Sequence, residues 1–338
     1  MTDISGPGPS RPGPDVTQQS DAEPELRLTA YLYEQVFGHK PTLVTSAPGA
    51  LTLFGAAGDR YALAIPLKWG ATVAAAPRDD DMVDLRSGSQ AGKELTRPLS
   101  ALAELPHWAE RPLAVVSTVA AAGHTLGGMS LLVGTALPEG AGMQSDVGLT
   151  SVVAAALAGL FGVDLTLGQR SDLGDLPAQL ASLICPDDMA VQVDTWTMAA
   201  ELVPCDLVGA GLRLMLIDLG DSVSTSPSGA RELALAGVEV LRAGDLTALG
   251  PLFGQATSFA GDPVAAAVAA AACAAGALGS GTLPGGCLMA LVPTDRLSPV
   301  RAAVTDVWPG TRVPKFLTAV PSRGARALSP HPGLAPDE

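Results

Sequence analysis

At 338 residues the chain is long enough for one large or two ordinary domains. Its 47% apolar content contains no uninterrupted apolar run of membrane-spanning length, so a soluble protein with no membrane association is expected. A formal charge of −14, spread along the chain, lacks the basic footprint of a nucleic-acid binder. Residues 1–16 are rich in Pro, Gly and Ser and show no basic-then-apolar order, so no signal peptide is read and a cytoplasmic location is expected. Cys185, Cys205, Cys273 and Cys287 lie far apart without paired spacing, which points to reduced structural thiols rather than a metal site or a disulfide framework.

In chain order, residues 1–24 have the composition of a disordered tail. Residues 25–37 carry helical spacing, with Leu26, Leu28, Tyr31, Leu32 and Val36 on the side expected to be buried. Residues 43–54 read as a strand interrupted by the turn residues Ala47, Pro48 and Gly49, and 62–76 as a second strand. Asp79, Asp80 and Asp81 read as a solvated hairpin tip before a short strand at 82–86. Residues 112–122 form an apolar segment, and 129–136 a strand that feeds a glycine-rich loop. An apolar helix follows that loop to about Gly162. A helix at 173–183 and strands at 188–197 and 212–219 come next. Helices are expected at 229–241, 246–253 and from Pro263, then a second glycine-rich loop at 279–286 and a strand at 287–292. A helix at 297–307 and a strand at 315–320 close the pattern before a loose tail at 329–338.

The stretch 137–146 (Leu-Pro-Glu-Gly-Ala-Gly-Met-Gln-Ser-Asp) is the one around which the rest is organised. Gly140 and Gly142 allow a tight turn and close approach of backbone to a ligand. The helix start beyond them offers free N–H groups and a positive dipole end, which suit a phosphate. Asp146 complicates this, because a carboxylate there caps the helix itself and occupies the place of an anion. A phosphate cradle built from Gly140, Ala141, Gly142, Ser145 and Asp146, or a plain capped turn, are both open readings.

The order of segments and several literal stretches resemble galactokinase, of the GHMP small-molecule kinase family, from about Phe37 to Leu328. Ala47-Pro48-Gly49 resembles the opening of the family's first motif, and Pro138 to Gly142 with Ser145 its phosphate loop. Gly276-Ala-Leu-Gly279 with 285–293 resembles the third motif and its strand, and 316–326 the final strand and end. The resemblance implies an α+β, two-lobed fold with mixed sheets covered by helices and an active-site cleft between the lobes. It divides the chain into an N-terminal domain at 25–200 and a C-terminal domain at 201–328. It also implies ATP and Mg²⁺ as cofactors, nucleotide contacts at Gly140, Ala141, Gly142, Ser145 and Asp146, and a sugar contact at Asp59.

The catalytic positions depart from that pattern. Where the family reads Ala-Pro-Gly-Arg-Val-Asn-Leu-Ile-Gly-Glu-His-Thr-Asp-Tyr, this chain has Ala50 in the arginine slot and Ala56 and Ala57 in place of Glu and His. Asp59 alone keeps its slot, and as a lone carboxylate it also reads as a turn cap. Gln144-Ser145-Asp146 keeps one of the family's three serines, and the base of the Met-Asp-Gln context falls on Ala178, before Gln179; an alternative register would use Asp175 or Asp187, but the flanking 179–183 stretch supports Ala178. Ser228 stands for the sugar-packing tyrosine, with Arg231 kept, and the third motif is about three residues short at 281–286. A base contributes about 10²- to 10⁴-fold and a cation on the transferred phosphoryl about 10³ or more; alanine supplies neither. The expectation is a galactokinase-like protein without catalytic residues, a pseudokinase with a small-molecule or protein partner and doubtful use of ATP and Mg²⁺. The alternative is an active kinase using Asp146, Asp187 or Asp188 as a relocated carboxylate.

Overall fold

The computed structural model describes residues 24–55, 59–136, 145–219, 230–255, 262–283, 287–310 and 314–328. Within them the chain runs α1 (Pro24–Phe37), β1 (Leu43–Phe54), β2 (Tyr61–Pro77), β3 (Met82–Ser87), β4 (Glu94–Pro98), α2 (His107–Ala121) and β5 (Met129–Thr135). It continues with α3 (Ser145–Phe161), α4 (Leu167–Asp172), α5 (Leu176–Ile184), β6 (Met189–Asp194), β7 (Ala199–Pro204) and β8 (Leu212–Asp218). The last part is α6 (Ala230–Arg242), α7 (Leu249–Gln255), α8 (Pro263–Ala274), β9 (Gly279–Leu283), β10 (Cys287–Pro293), α9 (Leu297–Val307), β11 (Lys315–Ala319) and β12 (Arg326–Leu328). This is the α+β architecture of sheets covered by helices that the resemblance implied, with a mixed larger sheet and an antiparallel smaller one.

The larger sheet has the order β12-β1-β2-β5-β3-β4, and β6 pairs with the first half of β2 and carries β7. Only β3 and β5 run parallel. The smaller sheet is β11-β8-β10-β9, antiparallel throughout. α2 and α3 cover one face of the large sheet around Val73, Leu85, Leu113, Leu131 and Leu157, while α5 covers β1, β2 and β6 on the same side. The opposite face is shared. α1 sits at one end over Val44, Ala74 and Leu132; the inner face of the small sheet and α6 meet Leu51, Leu63, Ile65 and Leu67 at the other. α8 and α9 close the outer face of the small sheet over Ile217, Leu288 and Val300.

Several local expectations are corrected. α1 buries Leu26, Thr29, Ala30 and Tyr33, while Leu28 and Tyr31 are 57% and 55% exposed. Two polar anchors set that rotation: the Tyr33 hydroxyl hydrogen-bonds Ser130, and Thr29 Oγ1 donates to Thr72 Oγ1 at 3.0 Å. β1 runs through Ala47, Pro48 and Gly49 as one strand, absorbing the proline in a register shift between Pro48 and Ala50; a bulge is where a residue without an N–H fits a ladder. The apolar segment at 112–122 belongs to helix α2, and the glycines expected as a loop at 279–286 form β9 as far as Leu283. Gly279 is small because α7 lies on it: a Cβ there would come within 1.9 Å of the Gly250 carbonyl oxygen. Strands β4, β7 and β12 and the short helix α4 were not foreseen. No described helix is long and apolar enough to cross a membrane. Cys185, Cys205 and Cys287 are buried free thiols, each pushed up to about 12 by burial, and Cys273 is exposed.

Candidate functional site

Two of the catalytic slots read from the sequence, Ala50 and Ala178, come together. The bulge in β1 is clamped from both sides of its helical face. Ser182 Oγ of α5 donates to the Pro48 carbonyl at 2.5 Å. The first turn of α3 presses so close that a Cβ on Gly148 would lie 3.1 Å from the Gly49 nitrogen and 3.2 Å from the Pro48 oxygen. In this corner Ala50 is 1% exposed and Ala178 0%, and both belong to one apolar cluster with Ala64, Val147, Leu176, Val191 and Val193. Methyl groups and closely packed backbone fill the place where the resemblance puts an arginine and an aspartate.

The polar groups around the corner are committed to structure. Asp175 caps α5, accepting from Ala178 N at 3.0 Å and from Thr52 Oγ1 at 3.4 Å. Gln179 is buried; its Nε2 donates to the Arg170 carbonyl at 3.1 Å, and its Oε1 has no partner among the described residues. Asp146, in the first turn of α3, pairs with Arg111 of α2 at 2.8 Å; both are about half exposed. The backbone of Ser145 opens α3, whereas Gly140, Ala141 and Gly142 lie outside the described residues, as do Ala56, Ala57 and Ser228.

Asp59 is held at the entry to β2, where its carbonyl accepts from Thr195 Oγ1 at 2.8 Å. Next to it, the guanidinium of Arg60 lies 4.8 Å from the Tyr61 ring centre and 4.9 Å from that of Trp196. Asp194 holds Arg60 at 3.0 Å and caps the following turn by accepting from Trp196 N, so its carboxyl is kept well below the usual range, chiefly by the Arg60 hydrogen bonds. Arg231 approaches Tyr61 at 5.6 Å. Val147, next to Asp146 in sequence, thus reaches the corner, and Asp59 is instead tied to the β6–β7 turn. Asp187 and Asp188 are exposed and line an open groove with residues of α1 and β5. Among the described residues no three His, Cys, Asp or Glu side chains are grouped to hold a metal ion.

Sequence reasoning missed Arg111, Ser182 and the Arg60–Asp194 pair. Only Asp175 had a local signal: an acid just before Leu176-Pro177 is a helix-start pattern, with proline in the first turn. The others meet their partners across long sequence separations.

No protein-family model matches the chain. The class comes from the fold. The galactokinase of Lactococcus lactis, solved in complex with galactose, aligns over 89% of this chain and 99% of its own, with a TM-score of 0.75 at 19% identity. The mevalonate kinase of Methanococcus jannaschii aligns over 84% and 99%, with a TM-score of 0.60 at 11% identity. The fold is that of the GHMP small-molecule kinases. In sequence the chain is a homologue of galactokinase: it is 28% identical over 235 residues to the galactokinase of Streptomyces coelicolor, covering 62% of this chain and 61% of that relative. A Roseiflexus galactokinase matches at 28% over 125 residues, 36% of this chain and 32% of its own length. The sequence match therefore spans less than two-thirds of these relatives.

Proposed function

We propose that this protein is a pseudokinase: a galactokinase-like GHMP fold that has lost phosphoryl transfer and acts as a binding or regulatory protein. The observation that carries this reading is the burial of Ala50 and Ala178 in one apolar cluster. Phosphoryl transfer depends on positioned charge at the transferring group. Here the two slots hold methyl groups, and the nearest carboxylate, Asp175, is engaged as a helix cap. Among the described residues Asp146 is paired with Arg111, and the apolar cluster around Ala50 and Ala178 holds no charged side chain. No catalytic step is therefore written through ATP or Mg²⁺. The test is a coupled ADP-release assay of the full chain with ATP, Mg²⁺ and galactose. Release at background is expected; turnover near 1 s⁻¹, roughly the lower end for kinases, overturns the reading.

A further inference from the structure

β7 is a free edge of the larger sheet: it pairs with β6, and among the described residues nothing pairs with its other side. The β6–β7 ladder shows which backbone groups that side presents. Cys205 N donates to the Asp188 carbonyl at 2.7 Å, in line with the pairs Ala190–Val203 and Gln192–Glu201. Hydrogen-bonded positions recur every second residue in an antiparallel ladder, so residues 199, 201 and 203 turn their N–H and C=O groups to β6. Ala200 and Leu202 turn theirs outward, and both residues are exposed. Pro204 offers a carbonyl alone.

An edge of this kind is normally guarded by charge, proline or a bulge. β4, at the far end of the sheet, carries Glu94, Arg97 and Pro98, and β11 of the small sheet opens on Lys315. β7 has no such guard before Pro204. Its one charged side chain, Glu201, is drawn aside to Arg242 of α6, on the face where Val203 is buried. The opposite face is apolar: Leu202 stands across from Val191 and Ala200 across from Val193, and both valines are core residues. Leu202 is 38% and Met198 40% exposed, so that row of side chains ends in solvent.

We propose that β7 pairs antiparallel with β7 of a second copy of this chain, across a two-fold axis at Glu201. Antiparallel partners share a face, so a symmetric pairing must centre on one residue. Centred on Glu201, Ala200 and Leu202 exchange hydrogen bonds with the partner's Leu202 and the partner's Ala200, so every outward N–H before Pro204 finds an acceptor. Centred on Ala200 the pairing would run onto Met198, held at a φ of +54° in the turn; centred on Leu202 it would run onto Pro204, which has no N–H. The side chains fit the same register. Leu202 lies against the partner's Ala200, large against small twice over, and extends the row from Val191 across the axis. Glu201 faces the partner's Glu201, a like-charge contact that the Arg242 ion pair within each copy offsets. The pairing does not depend on whether the protein transfers phosphate.

Sedimentation velocity of the full chain from about 1 to 200 µM tests it, since a single strand pair buries a small interface and dissociation in the micromolar range is expected. The mass should rise with concentration from 34.0 kDa toward twice that value. Leu202→Lys and Ala200→Pro should each weaken dimerisation about tenfold or more, the second by removing an N–H that β6 does not use. Thr96→Lys on β4 should leave it unchanged. Melting curves report whether each variant is folded, and Leu202→Lys carries the test if Ala200→Pro is not. The register is read by oxidation in a Cys273→Ser background, since Cys273 is the exposed native thiol. Glu201→Cys should cross-link two copies, because residues at the axis lie about 4.5–5.5 Å apart, within disulfide reach. Ala199→Cys should not, its twin being about 14 Å away. A chain that stays monomeric to about 200 µM overturns the proposal and leaves the edge to a strand of another protein. So does a dimer that neither β7 variant weakens, which would put the interface elsewhere, or cross-linking that does not favour Glu201→Cys over Ala199→Cys.

Discussion

Ala178→Asp restores the family's carboxylate and probes whether the corner is filled. Ala178 is fully buried, and its neighbours Ala50, Val147, Leu176 and Val191 offer no donor. The polar groups nearby are already used: Ala178 N and Thr52 Oγ1 serve Asp175, and Ser182 Oγ serves Pro48. Overpacking costs about 1–3 kcal/mol, and an unsatisfied carboxyl about 1–3 kcal/mol more even when protonated. The sum, roughly 2–6 kcal/mol, is a large part of a net stability of about 5–15 kcal/mol. At about 2 °C per kcal/mol for a chain of this size, the melting temperature should fall by roughly 4–12 °C. The cost should also depend on pH. Burial raises the folded-state pKa of the new carboxyl above its unfolded value, so the variant suffers only the packing and hydrogen-bond cost below pH ~4. As pH rises the unfolded chain ionises and the folded one resists, so the gap in melting temperature from the parent should widen between pH 5 and pH 8. Differential scanning calorimetry of both proteins across that range is the assay. A small gap that does not change with pH would mean that water reaches Ala178, and the closed-corner argument would fail.

Asp146→Ser removes an exposed ion pair with Arg111 and should change stability by less than about 1 kcal/mol. Its affinity for Mg-ATP by isothermal titration should be equal to or higher than the parent's, because an anion leaves the helix start; a loss of measurable affinity would make the carboxylate a metal ligand. Gly279→Ala should cost about 3 kcal/mol or more in urea unfolding, since its Cβ would meet backbone at Gly250 rather than a movable side chain; a neutral result would show that α7 can lift from β9. Burial pushes Tyr33 from 10.0 up to about 12, so the stability tied to its neutral phenol is present below pH 10 and lost as pH rises toward 12. Tyr33→Phe should lack that alkaline loss, as read by circular dichroism melts at pH 9 and pH 11; equal losses in both proteins would refute the assignment.

The sequence revealed the alternation and spacing that make these strands and helices, because periodicity is local and each element buries a face or a stripe. It was read less well where one element answers to another. The 43–54 strand was expected to break at Pro48, yet pairing with β2 along its whole length carries it through the proline as a bulge. The 279–286 stretch was expected to loop on account of its glycines, yet those glycines serve the close approach of α7.

By its resemblance to the family, the chain's own letters put Ala50 and Ala178 in slots where the family carries charge, and left Asp59 and Asp146 as candidate carboxylates. They also carried the family resemblance, since segment order and motif residues are properties of the chain itself. What the alanines do was decided only in three dimensions. The sequence left open whether Ala50 and Ala178 would line a pocket or be buried, and their burial depended on α3 and α5 settling onto β1. Gly148 and Ser182 let them do so, meeting the bulge at Pro48 and Gly49 from positions about a hundred or more residues away. Likewise, the letters of α1 put Leu28 and Tyr31 on a buried stripe, and the sheet turned them outward, because Tyr33 and Thr29 found hydroxyl partners on β5 and β2. Helical spacing says which residues share a face; which face is buried depends on the surface that the rest of the chain brings to it.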